Sequence, residues 1–160
     1  MNNGFGASQA IAGQDIEQVT FEIPLEQEQG APLAAGPAKY KNIEMEQMLA
    51  ALEKHLGRTD KIGYAAARNT RILRNETHEY FERRKQLVEK YGSPQLDENG
   101  NPTGLTELRF DSPEFKEYAE EIGEWAIIEH APNLFKLKFE EAIGNLSGTE
   151  LLEIEWMFED

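Results

Sequence analysis

The sequence predicts an α+β fold: an αα-hairpin with a long second helix, packed against a small, mostly antiparallel sheet and a C-terminal helix. A change of pattern along the chain supports this prediction. Between residues 42 and 92 apolar residues recur at the helical spacing of about 3.6, whereas after Phe110 they alternate, as in strands. With 160 residues, 39% of them hydrophobic, the chain is long enough to bury the core of one domain.

The longest predicted helix runs from Asp60, a suitable N-cap, to Tyr91, just before Gly92. At about 1.5 Å per residue it would be about 45 Å long. A shorter helix at 43–56 precedes it and pairs with its first half as an αα-hairpin. The unmatched half, 76–91, needs other cover, and either the C-terminal region or a second copy is expected to provide it.

Shorter elements are predicted in the second half of the chain, so that residues 42–160 form one α+β domain. In order, they are an Asn-Gly hairpin turn at 99–100, a strand at 105–110, a helix starting at Ser112-Pro113-Glu114, strands at 125–129 and 133–142, and a last helix at 150–158.

Residues 1–41 are predicted to form an extended N-terminal arm, because stretches rich in Gly, Pro and small residues surround a single alternating segment. That segment, 16–25, predicts a short strand that Pro24 ends or keeps at a sheet edge. The strand is expected to dock on the sheet edge of a neighbour by β-augmentation. The side chains expected to fill pockets there are Val19, Phe21, Ile23 and Leu25.

Charge is unevenly distributed along the chain, which has a net charge of −14. Residues 93–160 contain 17 acids and 4 bases, whereas 42–92 contain 8 acids and 10 bases and 1–41 contain 5 acids and 2 bases. Direct nucleic-acid binding is not expected, since it requires Lys and Arg to neutralise phosphates. The asymmetry favours contact with a basic protein surface, either in a homo-oligomer or on another protein.

Three polar residues, Asn69, Glu76 and Arg83, repeat every seven positions beside the apolar stripe of the long helix. They either set the register against a partner helix, as single polar residues do in coiled coils, or lie at the edge of the amphipathic stripe, where they contact solvent or Arg84. The predicted helix interface consists of Asn69, Leu73, Glu76, Tyr80, Arg83 and Leu87.

A basic ridge is predicted on the long helix and the turn before it. Its residues are Arg58, Lys61, Arg68, Arg71 and Arg74. Phosphate or nucleic-acid binding would use such a ridge, but glutamates follow directly and no aromatic residues alternate with the bases. A solvated or ion-paired face is therefore favoured. An intermediate possibility is that the ridge receives the acidic last third, within one chain or across a contact.

No pattern in the sequence predicts an enzyme. There is no cysteine, no glycine-rich loop ending in Lys-Ser/Thr and no His-Glu-x-x-His motif. We therefore expect no catalytic residue, no metal site and no cofactor. No apolar run approaches the roughly 20 residues of a membrane span, so a protein of the cytoplasm without membrane contact is expected.

The order of the predicted elements and several stretches of sequence resemble a widespread family of small bacteriophage and prophage proteins. The stretches are KNIEMEQML, AARNTRILRNETHEYFERRKQLVEKYG, the DENGNP loop and the closing NLSGTELLEIEWMFED. The resemblance covers roughly residues 40–158 and leaves out the arm. It implies a phage or prophage origin, and it carries no activity that transfers to a residue of this chain.

Two functional hypotheses follow. The first is a non-enzymatic bacteriophage protein that acts through protein–protein contacts, as a virion or assembly subunit or as an adaptor, with a docking N-terminal arm. It would be found in the host cytoplasm or incorporated in the virion. The alternative is an acidic inhibitor that mimics nucleic acid and blocks a host defence nuclease or another DNA-binding protein. Its carboxylate face would consist of Glu117, Glu120, Glu121 and Glu124.

Overall fold

The computed structural model describes residues 36–160. Some of the predictions fall on earlier residues. The strand at 16–25 and its docking side chains Val19, Phe21, Ile23 and Leu25 lie outside the described residues.

The predicted helical hairpin is present, with helix α1 at Asn42–Glu53 and helix α2 beginning at Lys61 and ending at Glu76. Asp60 caps α2, because its carboxylate accepts a hydrogen bond from the Gly63 amide at 3.0 Å. A β-carbon on Gly63 would lie 2.1 Å from the Arg58 carbonyl oxygen, so the turn before α2 packs directly on the helix backbone.

The single long helix of the prediction is interrupted at Thr77, and helix α3 follows at His78–Tyr91. Thr77 is fully buried, and its hydroxyl donates to the Leu73 carbonyl at 2.7 Å. The Thr77 amide donates to the same carbonyl at 2.9 Å. A threonine hydroxyl that shares the carbonyl four residues earlier distorts a helix locally, and this accounts for the break.

Helix α4, Phe115–Ala126, packs against α3, which α1 contacts only through Glu46 and the residues near it. The cover is therefore supplied by the C-terminal part of the same chain. Helix α4 is amphipathic, but this packing leaves none of its residues fully buried. The residues of its apolar face are Phe115, Tyr118, Ile122 and Trp125.

The strands of the described residues form two-stranded ladders. Strand β1, Tyr40–Lys41, pairs antiparallel with β4, Glu129–His130. Strands β2, Ser93–Leu96, and β3, Pro102–Glu107, form an antiparallel hairpin. Its turn contains Gly100 at a φ of 82°, as the Asn-Gly prediction requires.

The last ladder joins strand β5, Leu137–Lys138, to strand β6, Phe158–Glu159, and it is parallel. In the sequence, helix α5, Gly148–Ile154, comes between these two strands, and it begins at a capping box formed by Ser147 and Glu150. Five helices and small, mostly antiparallel ladders within residues 36–160 confirm the predicted α+β fold.

Several predicted element boundaries were wrong. The predicted strand at 125–129 begins inside α4 and is reduced to β4, and the predicted strand at 133–142 is reduced to β5 followed by a short 3-10 turn. The last helix ends at Ile154 and continues as 3-10 helix and strand. The Asn42 side chain, at the start of α1, donates to the Trp125 carbonyl at 2.8 Å.

One core joins α1 and α2 to the C-terminal elements. Its members, contributed by both halves of the described chain, are Met45, Met48, Leu52, Ile62, Ala65, Ala66, Leu73, Leu137, Ala142, Ile154, Met157 and Phe158. Within residues 36–160 no helix is both long and apolar enough to cross a membrane.

Candidate functional site

The predicted ladder of polar residues on the long helix contacts the C-terminal half of the same chain. Asn69 is fully buried, and its side chain forms two hydrogen bonds with the backbone of Phe135. Glu76 lies 3.3 Å from His130 Nδ1, and Arg83 lies 3.2 Å from Glu121. Three positions spaced by seven on the helix thus meet three successive points of the later chain, in reverse order.

The apolar members of the predicted helix interface, Leu73, Tyr80 and Leu87, are also buried in this fold. The burial of Tyr80 raises the pKa of its hydroxyl, which lies 3.3 Å from Glu46. All six residues of the set therefore have partners inside the described chain, and we do not assign them to a contact with another molecule.

The acidic face of α4 is partly neutralised. Glu121 receives hydrogen bonds from Lys90, at 2.7 Å, and from the Tyr91 hydroxyl, and it faces Arg83. These donors lower the pKa of the Glu121 carboxyl, the bond from Lys90 contributing most. Glu120 lies 3.9 Å from Lys116.

The other two members of this face, Glu117 and Glu124, are exposed and have no ion pair with any described residue. The row of carboxylates is thus reduced to two unpaired groups. That is a weaker imitation of a phosphate backbone than the sequence alone predicts.

The basic ridge is divided into two parts. Arg58 pairs with Asp60, Lys61 pairs with Glu141, and the guanidinium of Arg68 lies 4.6 Å from the centre of the Phe135 ring. The C-terminal third therefore engages one end of the ridge.

At the other end, Arg71 and Arg74 are exposed on α2, one turn apart. Neither forms an ion pair with a residue in the described part of the chain. In a protein of net charge −14, two adjacent arginines without an acid beside them mark a surface that is electrostatically open to an acidic partner.

Arg74 also borders a groove of about 440 Å³ between α1 and the α2–α3 segment, which we call the hairpin groove. Apolar residues from both sides line it, with one acid on the α1 side and the basic residues on the α2–α3 side: Leu49, Ala50, Glu53, Leu56, Thr70, Arg74, His78 and Phe81. Thr70 is more than nine-tenths buried, and its hydroxyl has no hydrogen-bond partner among residues 36–160. The groove therefore combines apolar area with a basic wall.

A second groove, of about 590 Å³, lies on the other side of α1, and we call it the tail groove. Its lining residues are Tyr40, Glu44, Gln47, Met48, Ala50, Ala51, Lys54, Glu153 and Trp156. Lys54, which is the basic residue of this lining, already pairs with Glu153 at 2.8 Å. The tail groove is therefore apolar and slightly acidic.

The β2–β3 hairpin is a third exposed feature. Leu96 and Leu105 on its strands are 56% and 64% exposed, and Phe110, just after it, is 86% exposed. Its charged residues include Asp97, Glu98 and Glu107, all exposed. The hairpin thus presents apolar side chains in acidic surroundings.

In the described region, no group of three or more His, Asp or Glu side chains is placed to hold a metal ion. His55 is buried near α5, His78 lines the hairpin groove and His130 pairs with Glu76, so the three histidines lie apart.

Comparison of the chain with protein-family models, with curated proteins and with solved structures gives no match.

Proposed function

We propose that this protein is a non-enzymatic assembly subunit or adaptor that works through protein–protein contacts, with its N-terminal arm docking on a neighbouring copy. The observation that carries the proposal is the hairpin groove, where apolar side chains lie beside Arg74. Neither Arg74 nor Arg71, one turn earlier on α2, has an acidic partner in residues 36–160. Protein interfaces typically combine an apolar centre with a charged rim in this way.

The arm has the composition that such a surface binds. Before Lys39 it contains five acids and no Lys or Arg, and its segment 16–25 alternates apolar and polar residues. Electrostatic attraction would speed the encounter of this arm with a basic groove, and apolar contacts would then hold it. A bacteriophage setting, in the host cytoplasm or in the virion, rests on the sequence resemblance alone.

The acidic-inhibitor hypothesis has less support from the same surfaces. Its proposed carboxylate row contains Glu121, which is engaged by Lys90 and Tyr91, and Glu120, which faces Lys116. Only a partner able to bind the remaining pair, Glu117 and Glu124, would use this face.

A competition assay tests the proposed function. Self-association of the labelled full-length protein is followed by fluorescence anisotropy while an unlabelled peptide of residues 1–36 is added. The arm-docking proposal requires this peptide to dissociate the assembly, whereas a scrambled peptide of the same composition and charge should not. Equal displacement by both peptides, or displacement by neither, would contradict docking by the arm.

A further inference from the structure

The hairpin groove has the dimensions of a short extended peptide. Along α1 and the turn after it the lining residues run from Leu49 to Leu56, and along the opposite wall they run from Thr70 to Phe81, about 16 Å at 1.5 Å per residue. An extended segment advances about 3.3 Å per residue, so five residues with three side chains on one face span about 13 Å. The groove therefore matches three alternating side chains of one strand-like segment.

The chain itself contains a segment with this pattern and with the complementary charge. In residues 14–28 the apolar side chains alternate from Val19 to Ile23, and the segment contains five acids and no base. Arg71 and Arg74 have no ion pair with a described residue, and His78 lies on the same wall of the groove as Arg74. Glu53 lines the opposite side, so the positive charge is concentrated along α2.

We propose that the hairpin groove of one copy binds the acidic segment 14–28 of a second copy. Val19, Phe21 and Ile23 lie against the apolar lining, and glutamates on the other face of the segment meet Arg71 and Arg74. This inference rests on the proposed function, because it names the receptor surface for the docking arm.

Charge distinguishes this receptor from the other exposed surfaces. The tail groove contains Glu44 and a lysine already paired with Glu153, and it would repel a segment with five acids. The β2–β3 hairpin offers edges for β-augmentation, but Asp97, Glu98 and Glu107 surround its apolar residues. Like charges at close range oppose binding at both places.

Disulfide trapping tests the proposal in the full-length protein, which contains no natural cysteine. One preparation has Phe21→Cys and a second has Leu56→Cys in the hairpin groove. A matched control has Leu152→Cys, an exposed leucine on α5 outside the groove. When the preparations are mixed under mild oxidation, the Phe21→Cys and Leu56→Cys chains should form a mixed disulfide at least about tenfold faster than the pair with Leu152→Cys.

Equal rates for the two pairs would overturn the groove as the receptor. A chain with both Phe21→Cys and Leu56→Cys tests the second copy as the source of the segment. A cross-linked dimer supports the proposal, and a cross-linked monomer as the sole product overturns it.

Charge reversal gives a second readout in full-length protein. Arg74→Glu should weaken self-association at least about tenfold at low salt, and Glu22→Lys in the same chain should restore part of it. Lys85→Glu, an exposed position on α3, is the control and should have little effect. If arm deletion abolishes self-association while Arg74→Glu leaves it intact, the hairpin groove is not the receptor, but the proposal that the arm docks on another copy is still supported. If arm deletion has no effect, the proposed function fails as well.

Discussion

The side chain of Asn69 forms hydrogen bonds with both backbone groups of Phe135, as a neighbouring strand would. Its Oδ1 accepts from the Phe135 amide at 2.7 Å, and its Nδ2 donates to the Phe135 carbonyl at 2.9 Å. One buried side chain thus satisfies both backbone groups of a residue 66 positions away and joins helix α2 to the segment before β5.

Replacing Asn69 by alanine should destabilise the protein by about 1–3 kcal/mol, since it leaves a part-buried amide and a part-buried carbonyl of Phe135 without partners. Asn75→Ala, at an exposed position of the same helix, should change stability by less than about 0.5 kcal/mol. Urea unfolding followed by circular dichroism measures both variants. Equal effects would show that the double hydrogen bond does not contribute as described.

Two helical glycines should respond in opposite directions to alanine. At Gly63 the new β-carbon would lie 2.1 Å from the Arg58 carbonyl oxygen, and we expect a loss of about 2 kcal/mol or more. At Gly123, inside α4, nothing lies within 4 Å, and Gly123→Ala should gain about 0.5–1 kcal/mol from helix propensity. Thermal unfolding distinguishes the two, and a stabilising Gly63→Ala would contradict the packing of the turn.

The cap at Asp60 predicts a pH dependence. Hydrogen bonds from Arg58 and from the Gly63 amide lower the Asp60 pKa from 3.8 to about 2. Because the folded pKa is the lower one, the carboxylate stabilises the fold above about pH 4, and this contribution is lost as the pH falls towards 2. Asp60→Ala should cost about 1 kcal/mol at pH 7 and less at pH 2.5. A cost independent of pH would contradict a role for the charge.

Glu121 should contribute to the packing of α4 on α3, because Lys90 and Tyr91 donate hydrogen bonds to it and lower its pKa. Glu121→Gln should lower the thermal midpoint at neutral pH, and Glu124→Gln on the same helix is the control. The difference should shrink in acid, as the wild-type carboxyl becomes protonated. If both variants melt at the same temperature, the cluster does not stabilise the contact.

The exposed acids of α4 distinguish the two functional hypotheses. Under the assembly proposal, changing Glu117 and Glu124 together to Gln should leave self-association unchanged. Mimicry of nucleic acid predicts instead that this double variant loses binding to a basic DNA-binding protein, and that wild-type binding falls steeply between low and physiological salt. Binding isotherms at two salt concentrations decide between them.

Signals between residues close in sequence predicted much of the fold. The Asp60 cap and the Asn-Gly turn with Gly100 both depend on contacts spanning three residues. The pairing of α1 with α2 followed from helical spacing and a short turn.

Contacts between distant residues account for the errors. The alternation at Phe135 predicted a strand, but the backbone there bonds to Asn69, and no local pattern reveals that partner. The polarity of Thr77 did not reveal that its hydroxyl would turn back to Leu73.

The candidate surface was predictable only in part. Helical spacing grouped Arg71 with Arg74, but the position of Arg74 beside an apolar groove depends on how α1 packs on α2 and α3. The same spacing grouped Glu117, Glu120, Glu121 and Glu124, yet it did not indicate that Lys90 and Arg83 would engage Glu121. Burial and ion pairing between elements determine which charges remain open.

Light scattering during size-exclusion chromatography tests the central claim, assembly through the arm, most directly. The full-length chain of 18.2 kDa is compared with residues 37–160, which form a compact unit of their own. For the full-length chain we predict a mass that rises with concentration to a multiple of 18.2 kDa. For the shorter chain we predict a monomer that keeps the helical content of residues 37–160, measured by circular dichroism. A full-length chain that stays monomeric up to roughly 100 μM, well above the micromolar range of specific association, or an equal degree of association without the arm, would contradict it.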